Sequence, residues 1–283
     1  MPVRSDPTVR KRRLGRELRR HRELAGKTHL EVSKVLGCSD AKISYMEAGR
    51  YKIQWRDVRD MLAFCGVDDP SVVEPLVQMA RESGEKSWWQ PYEDTMLDNF
   101  GTYVGLEGEA QVQHHFELHV IPGLLQTADY ARALAKVGTR VKPDAVDRVV
   151  DLRLARQQRL DEPDPLELRL VIDEEALRRP IGGQAVLSRQ LQHLLAMNER
   201  QHVHVQVLPT AVGAHAGLGG SFTILEFPDD PAVVYMEHKR GCLYLEHPDD
   251  VAAYTMTLDR LRADSLTSTQ SAELIRRAIE ALS

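Results

Sequence analysis

Apolar positions recur at helical spacing through the first eighty residues and change to a period of two in the second half of the chain. In residues 9–25, VRKRRLGRELRRHRELA, Leu14, Leu18 and (less well in phase) Leu24 fall along one side of a helix, with basic residues around the rest. The next stretch, KTHLEVSKVLGCS, opens a second helix at Thr28, because Thr28 followed three positions later by Glu31 is a capping box. Leu30, Val32, Val35 and Leu36 supply its apolar side. Gly37 ends it, since glycine takes the left-handed conformation of a helix C-terminus without a Cβ penalty. Ser39 caps a third helix at once. That helix is short and fenced by Gly37 and Gly49; Ile43 and Met46 face inward, and Asp40, Ala41, Lys42, Ser44 and Tyr45 point outward. Two short helices across a turn containing glycine make a helix-turn-helix, with Ser33 at the closest approach, where a small residue is needed. A short helix with a polar first turn fits the major groove of DNA and brings that turn to the base edges.

The body of the chain reads differently. Trp88, Trp89 and Tyr92 make the segment GEKSWWQPYEDTM too aromatic for a free linker, so it is expected to dock on the second domain, and Pro91 breaks any continuing helix. Residues 103–137 read as a helix, a Pro-Gly break, then a second helix capped by Thr127, and residues 143–160 as another amphipathic helix. Residues 166–173 (LELRLVID) alternate and are rich in branched residues, which predicts a strand. A helix opened by Ser188 over 188–200 follows, then strands over 203–209, 220–228, 232–238 and 242–247, and helices over 248–266 and 267–282. The expected fold is α+β overall: an N-terminal all-α bundle, then a C-terminal α+β domain with a mixed sheet of about five strands.

Charge sharpens this division. The whole chain has 37 Lys+Arg against 42 Asp+Glu, yet residues 1–60 have 16 against 8. A basic head on an acidic body implies that the head meets a polyanion. No run approaches eighteen apolar residues, and the basic N-terminus lacks the apolar core of a signal peptide, so a cytoplasmic protein is expected. Cys38, Cys65 and Cys242 are scattered without a CxxC pair, which fits a reducing compartment and neither a disulfide framework nor a zinc site.

The stretch THLEVSKVLGCSDAKISYMEAGR resembles the helix-turn-helix of the XRE family, the phage-repressor and Cro-like DNA-binding domains. The features in common are the capped second helix, its small residue, the turn glycine, the isoleucine of the recognition helix and the exit Met46-Glu47-Ala48-Gly49-Arg50. The resemblance covers roughly residues 9–68, and residues 55–65 and 70–82 would complete a bundle of four to five helices. It implies base contacts by Asp40, Ala41, Lys42 and Tyr45, and phosphate contacts by Thr28, His29, Ser39, Ser44, Arg50 and Lys52. Arg10, Arg12 and Arg13 would reach along the backbone or into a minor groove as an arm. Asp40 departs from the family, which carries a neutral amide or hydroxyl there. Its carboxylate either accepts from cytosine N4 or stabilises the positive end of its own helix.

A second resemblance covers roughly residues 88–275. IPGLLQTADYARAL, VIDEEALRRPIGG, QLQHLLAM, VQVLPTAVGAHAG and the VVYMEH and YLE pair look like the C-terminal domain common in actinobacterial helix-turn-helix regulators. Those are described as antitoxin-like and are often encoded beside a small partner protein. The sheet also loosely resembles that of phospholipase D, whose chemistry needs His-x-Lys. Here His238 and Lys239 are adjacent, so along a strand they point to opposite faces. His202 and His204, with His215 nearby, have no cysteine or helical His pair to make a metal site. Glu174 and Glu175 beside Arg178 and Arg179 read as surface ion pairs, and GLGG at 217–220 as a tight turn.

The sequence therefore predicts a helix-turn-helix domain over 9–68, a connecting helix and linker over 69–90, and a regulatory and dimerisation domain over 91–283. The expected function is a sequence-specific transcriptional regulator, not an enzyme, working without cofactor or metal. Its partners are double-stranded DNA with a two-fold symmetric operator, a second copy as homodimer, and, through the antitoxin-like resemblance, a small cognate protein; no membrane is expected. The alternative is a one-component regulator whose loops 210–220 and 228–231 enclose a small-molecule pocket. A DNA-tethered phospholipase-D-like enzyme is the remaining reading.

Overall fold

The structure, a computed structural model, describes residues 7–49, 51, 53–82, 87–97, 99–138, 141–228, 230–238 and 241–282. The chain divides into two compact units, Met1–Gln90 and Pro91–Ser283.

The first unit is a bundle of five helices: α1 (Pro7–Leu24), α2 (His29–Val35), α3 (Asp40–Glu47), α4 (Trp55–Phe64) and α5 (Pro70–Glu82). Its core joins Leu14 and Leu18 of α1, Val32 of α2, Ile43 and Met46 of α3, and Val58, Met61 and Leu62 of α4. Leu76, Val77 and Ala80 of α5 belong to the same core, so the connecting helix is part of the bundle. Leu30 and Val35, expected on the apolar side of α2, are instead exposed. With seven residues α2 has room for one inward stripe, and Val32 and Ser33 occupy it.

Close helix approach here rests on a glycine. A Cβ on Gly15 would lie 2.5 Å from the carbonyl oxygen of Glu47 and 2.6 Å from that of Met46. These are backbone atoms at the end of α3, which cannot swing aside. Gly15→Ala should therefore push α1 off α3 at a cost of about 1–3 kcal/mol, read as a lower unfolding midpoint of the N-terminal helices. An unchanged midpoint would mean that the helices part without loss.

The second unit is built on a six-stranded mixed sheet of order β3-β2-β1-β4-β5-β6. The strands are β1 (Val112–Glu117), β2 (Glu167–Asp173), β3 (Val203–Leu208), β4 (Phe222–Glu226), β5 (Val233–His238) and β6 (Gly241–Leu245). The helices are α6 (Phe100–Glu109), α7 (Ala128–Val137), α8 (Val146–Gln157), α9 (Glu175–Arg178), α10 (Gln184–Asn198), α11 (Pro248–Asp264) and α12 (Ser268–Glu280). The α+β class holds, and the strand beyond the expected five is β1, which lies within the stretch read as helix. Both faces of β1 are covered, with Gln113, His114 and Phe116 all buried, so the alternation that marks a half-exposed strand is absent. It is one of the two central strands, parallel to β2 and antiparallel to β4.

The helix expected to open at Ser188 begins four residues earlier, where Gly183 has φ 92° and lets the chain turn in. Phe116, Val171, Phe222, Ile224 and Val234 form a core with Leu258 and Leu261 of α11. On the β5 side that carries Tyr235, α6 lays Tyr103 on the tyrosine ring with centroids 4.0 Å apart. The edge strand β3 is closed by Ser271 of α12, whose Oγ accepts from the Val207 amide at 2.9 Å. Among the described residues, no helix is long and apolar enough to cross a membrane.

Candidate nucleic-acid interface

The helix-turn-helix is α2, the turn at Leu36–Ser39, and α3. The capping box forms as read: Thr28 Oγ1 accepts from the Glu31 amide at 3.3 Å, and Glu31 Oε2 accepts from the Thr28 amide at 2.8 Å. The Thr28 amide and hydroxyl, both donating to Glu31 Oε2 at 2.8 Å, hold that carboxyl below the ordinary range. Gly37 has φ 62°, the left-handed turn that glycine allows. Ser39 Oγ accepts from the Lys42 amide at 3.2 Å and starts α3.

Ile43 and Met46 are buried, while Asp40, Ala41, Ser44 and Tyr45 are exposed, Tyr45 by 51%. Lys42 is held partly back. Its Nζ lies 3.9 Å from Asp57 Oδ2 of α4 and 5.3 Å from the ring centroid of Tyr51. Asp40 Oδ1 accepts from the Ala41 amide at 2.9 Å, a bond to the helix N-terminus. Thr28 and Ser39, expected on phosphate, have their hydroxyl groups engaged in the two caps. The side chain of Arg10, and Arg50 and Lys52, lie outside the described residues. Arg13 is exposed, and Arg12 is buried beside Gly49, whose Cβ position would fall 2.6 Å from the Arg12 Cα.

A buried charge cluster behind α3 was not read from the sequence. Glu47 shares the inward face with Ile43 and Met46 by i, i+3 and i+4 spacing. Its carboxylate takes Arg22 of α1 in a two-pronged bond, 2.6 Å from Nε and 2.8 Å from Nη2. His29 Nε2 lies 3.0 Å from the second oxygen, and Arg22 Nη1 donates to the Lys27 carbonyl at 2.9 Å. The bond to Glu47 raises the Arg22 pKa although burial acts against it. This cluster sets the angle of α3 against α1, and it ties His29, a phosphate candidate, to an interior carboxylate. The signal for it was a glutamate four residues after Ile43 in a helix otherwise short of inward groups.

In the second unit the histidines separate. His202 Nε2 lies 3.0 Å from the Leu160 carbonyl oxygen, His204 is 3.8 Å from Glu167, and His215 is 3.7 Å from Asp173. His202 precedes β3, and His204 lies within it. Among the described residues no three His, Cys, Asp or Glu side chains gather as a metal site. Glu174 pairs with Arg178, as its spacing implied, but is buried rather than on the surface, and it also accepts from the Thr210 amide at 3.0 Å. Residues 217–220 turn tightly, with the Gly220 amide donating to the Gly217 carbonyl at 3.1 Å. A cavity of about 490 Å³ lies over β1, β4 and β5; Gly219 and Gly220 of the loop 210–220 line it, and no described residue of 228–231 does.

Residues 13–76 match the family model of a helix-turn-helix domain. Residues 100–277 match that of a domain of unknown function (DUF5753). No curated protein and no solved structure matches the chain.

Proposed function

Because the chain belongs to the DUF5753 family and has a helix-turn-helix domain before that region, we propose that it is a sequence-specific transcriptional regulator that binds double-stranded DNA. The observation that carries this reading is the division of α3: Ile43, Met46 and Glu47 fix it from within, and Asp40, Ala41, Ser44 and Tyr45 stand clear on its outer side. Such a helix can enter a major groove and present its first turn to base edges. One domain of this size buries too little surface for tight specific binding, so the active form is a homodimer on a two-fold symmetric operator.

In this reading Lys42 and Tyr45 read sequence and Arg50 grips phosphate. Lys42→Ala should cost about 1–3 kcal/mol of discrimination between operator and random DNA. Arg50→Ala should weaken both DNAs alike and reduce the salt slope by about one. Titration of both variants against both DNAs at several salt concentrations checks this, and equal losses for both would remove the division of roles.

The second unit is read as the signal input and dimerisation domain. The resemblance to antitoxin-like regulators supports a small cognate protein as the signal. The cavity over β1, β4 and β5 supports a second reading, a one-component regulator that binds a small molecule. Catalysis is not part of the proposal.

A further inference from the structure

The cavity in the second unit has a chemistry of its own. It lies over the C-terminal half of β1 and the adjoining ends of β4 and β5. Its floor is one row of the sheet: His115 of β1 is paired with Thr223 of β4, and Thr223 with Tyr235 of β5. Its wall includes Phe100 and Tyr103 of α6 and Arg153 of α8. Its volume of about 490 Å³ suits a small organic molecule.

The polar groups around it are not equivalent. Glu117 is already committed: it accepts from Ser221 Oγ at 2.7 Å, the Leu118 amide at 3.0 Å and the His119 amide at 3.2 Å, and faces His115 Nε2 at 3.4 Å. Burial alone would raise its pKa, yet His115 and Ser221 hold it below the ordinary range. Glu237 accepts from the Tyr235 hydroxyl at 3.1 Å. Arg156, one turn beyond Arg153, is matched by Glu107 through bonds of 2.7 and 2.8 Å.

Arg153 differs. Its Nη1 donates to Gln126 Oε1, a neutral amide, and among the described residues no carboxylate lies within 4.0 Å of it. Gln126 is buried and is itself fixed: its Nε2 donates to the Ile121 carbonyl, and its own carbonyl accepts from Gln157 Nε2 at 2.8 Å. The guanidinium is thus held in place on the cavity wall with no carboxylate in direct contact, although Glu237 at the cavity and Glu107 behind it act on its charge from further away. Loss of hydration and the neighbouring Arg156 charge push its pKa down to about 10, which an anion beside it would reverse.

We propose that this cavity binds a small organic anion, a carboxylate or phosphate ester with an apolar body, whose head pairs with Arg153 and whose body lies against Phe100, Tyr103 and Tyr235. An arginine already oriented by Gln126 loses little freedom on pairing, and its fork matches either head group. The inference rests on the small-molecule reading of the second unit and gives that ligand a chemical class.

The test uses the full chain with benzoate and phenyl phosphate as probes, and benzamide and inorganic phosphate as controls. Affinity is measured by calorimetry, and hydrogen exchange locates the site. At least one organic anion should protect residues 112–126 and 219–223, and Arg153→Gln should weaken it tenfold or more. Arg153→Lys, which keeps the charge, should retain part of the binding, and hydrogen exchange of the second unit as slow in both unliganded variants as in the wild type shows that they are folded. Benzamide should bind no better to the wild type than to Arg153→Gln. Equal anion affinity in Arg153→Gln, or protection confined to the basic N-terminal helices, would overturn the proposal. Binding at Arg153 that leaves DNA affinity unchanged would uphold the site and remove its regulatory role.

Discussion

Glu47→Ala should destabilise the N-terminal bundle by about 3–5 kcal/mol, enough to unfold it separately from the rest of the chain. The Arg22 side chain is 10% exposed and that of Glu47 5%, so neither charge can turn to water when its partner is lost. In the variant, Arg22 keeps its bond to the Lys27 carbonyl and a 3.5 Å contact with the exposed Glu23, but it loses both bonds to the buried carboxylate that neutralised it. His29 loses its partner as well. The measurement is denaturant unfolding of the full chain, followed by hydrogen exchange of α1 to α5. The double variant Arg22→Met/Glu47→Leu separates charge from shape, because a well-packed apolar pair often replaces a buried ion pair at little or no cost. Recovery of most of the stability is expected. A single variant as stable as the wild type would mean that water reaches Arg22, and that α3 is held by Ile43 and Met46 alone.

That cluster also shows where sequence reading stops. The helix-turn-helix was legible because its signals are local. Thr28 and Glu31, Gly37, and Ser39 each act within one turn of chain, and each takes the role its spacing implies. The strands β2 to β6 were legible from alternation and branched residues. By contrast, Arg22 and Glu47 are 25 positions apart and meet only because Gly15 lets α1 close on the end of α3. The strand β1 was missed for another reason: a strand buried on both faces loses the period of two, and its Gln and His residues look like a helix surface. Missing β1 hid the cavity too, since its floor depends on the register of His115 against Thr223 and Tyr235. The side chains of Gln126 and Arg153 converge through tertiary packing that no window of sequence contains. Outward positions of α3 could be read as candidates, but the restraint of Lys42 by Asp57 and Tyr51 needed the fold.

Arg156→Ala should have a comparable effect in the second unit, a loss of about 3–5 kcal/mol. Glu107 of α6 is almost wholly enclosed, with a side chain 2% exposed, and Arg156 supplies both of its charged bonds. Burial works against the arginine's charge, but Glu107 more than restores it and holds the pKa above the ordinary value. The same guanidinium lies 5.2 Å from the Phe100 ring centroid and 5.3 Å from that of Tyr103, so it fastens α6 to α8 through three side chains. Its removal strands a carboxylate beside the aromatic wall of the cavity and frees α6 from α8. Unfolding of the second unit should therefore move to lower denaturant, with hydrogen exchange rising first in residues 100–109. Arg156→Met/Glu107→Leu should recover most of the loss. It should also keep Arg153 on the wall, since the bonds that fix Gln126 come from Ile121 and Gln157 and do not pass through Arg156. If the double variant is as unstable as the single one, the pair is needed for its geometry as well as for its neutrality, and α6 is seated by the fork of the arginine itself.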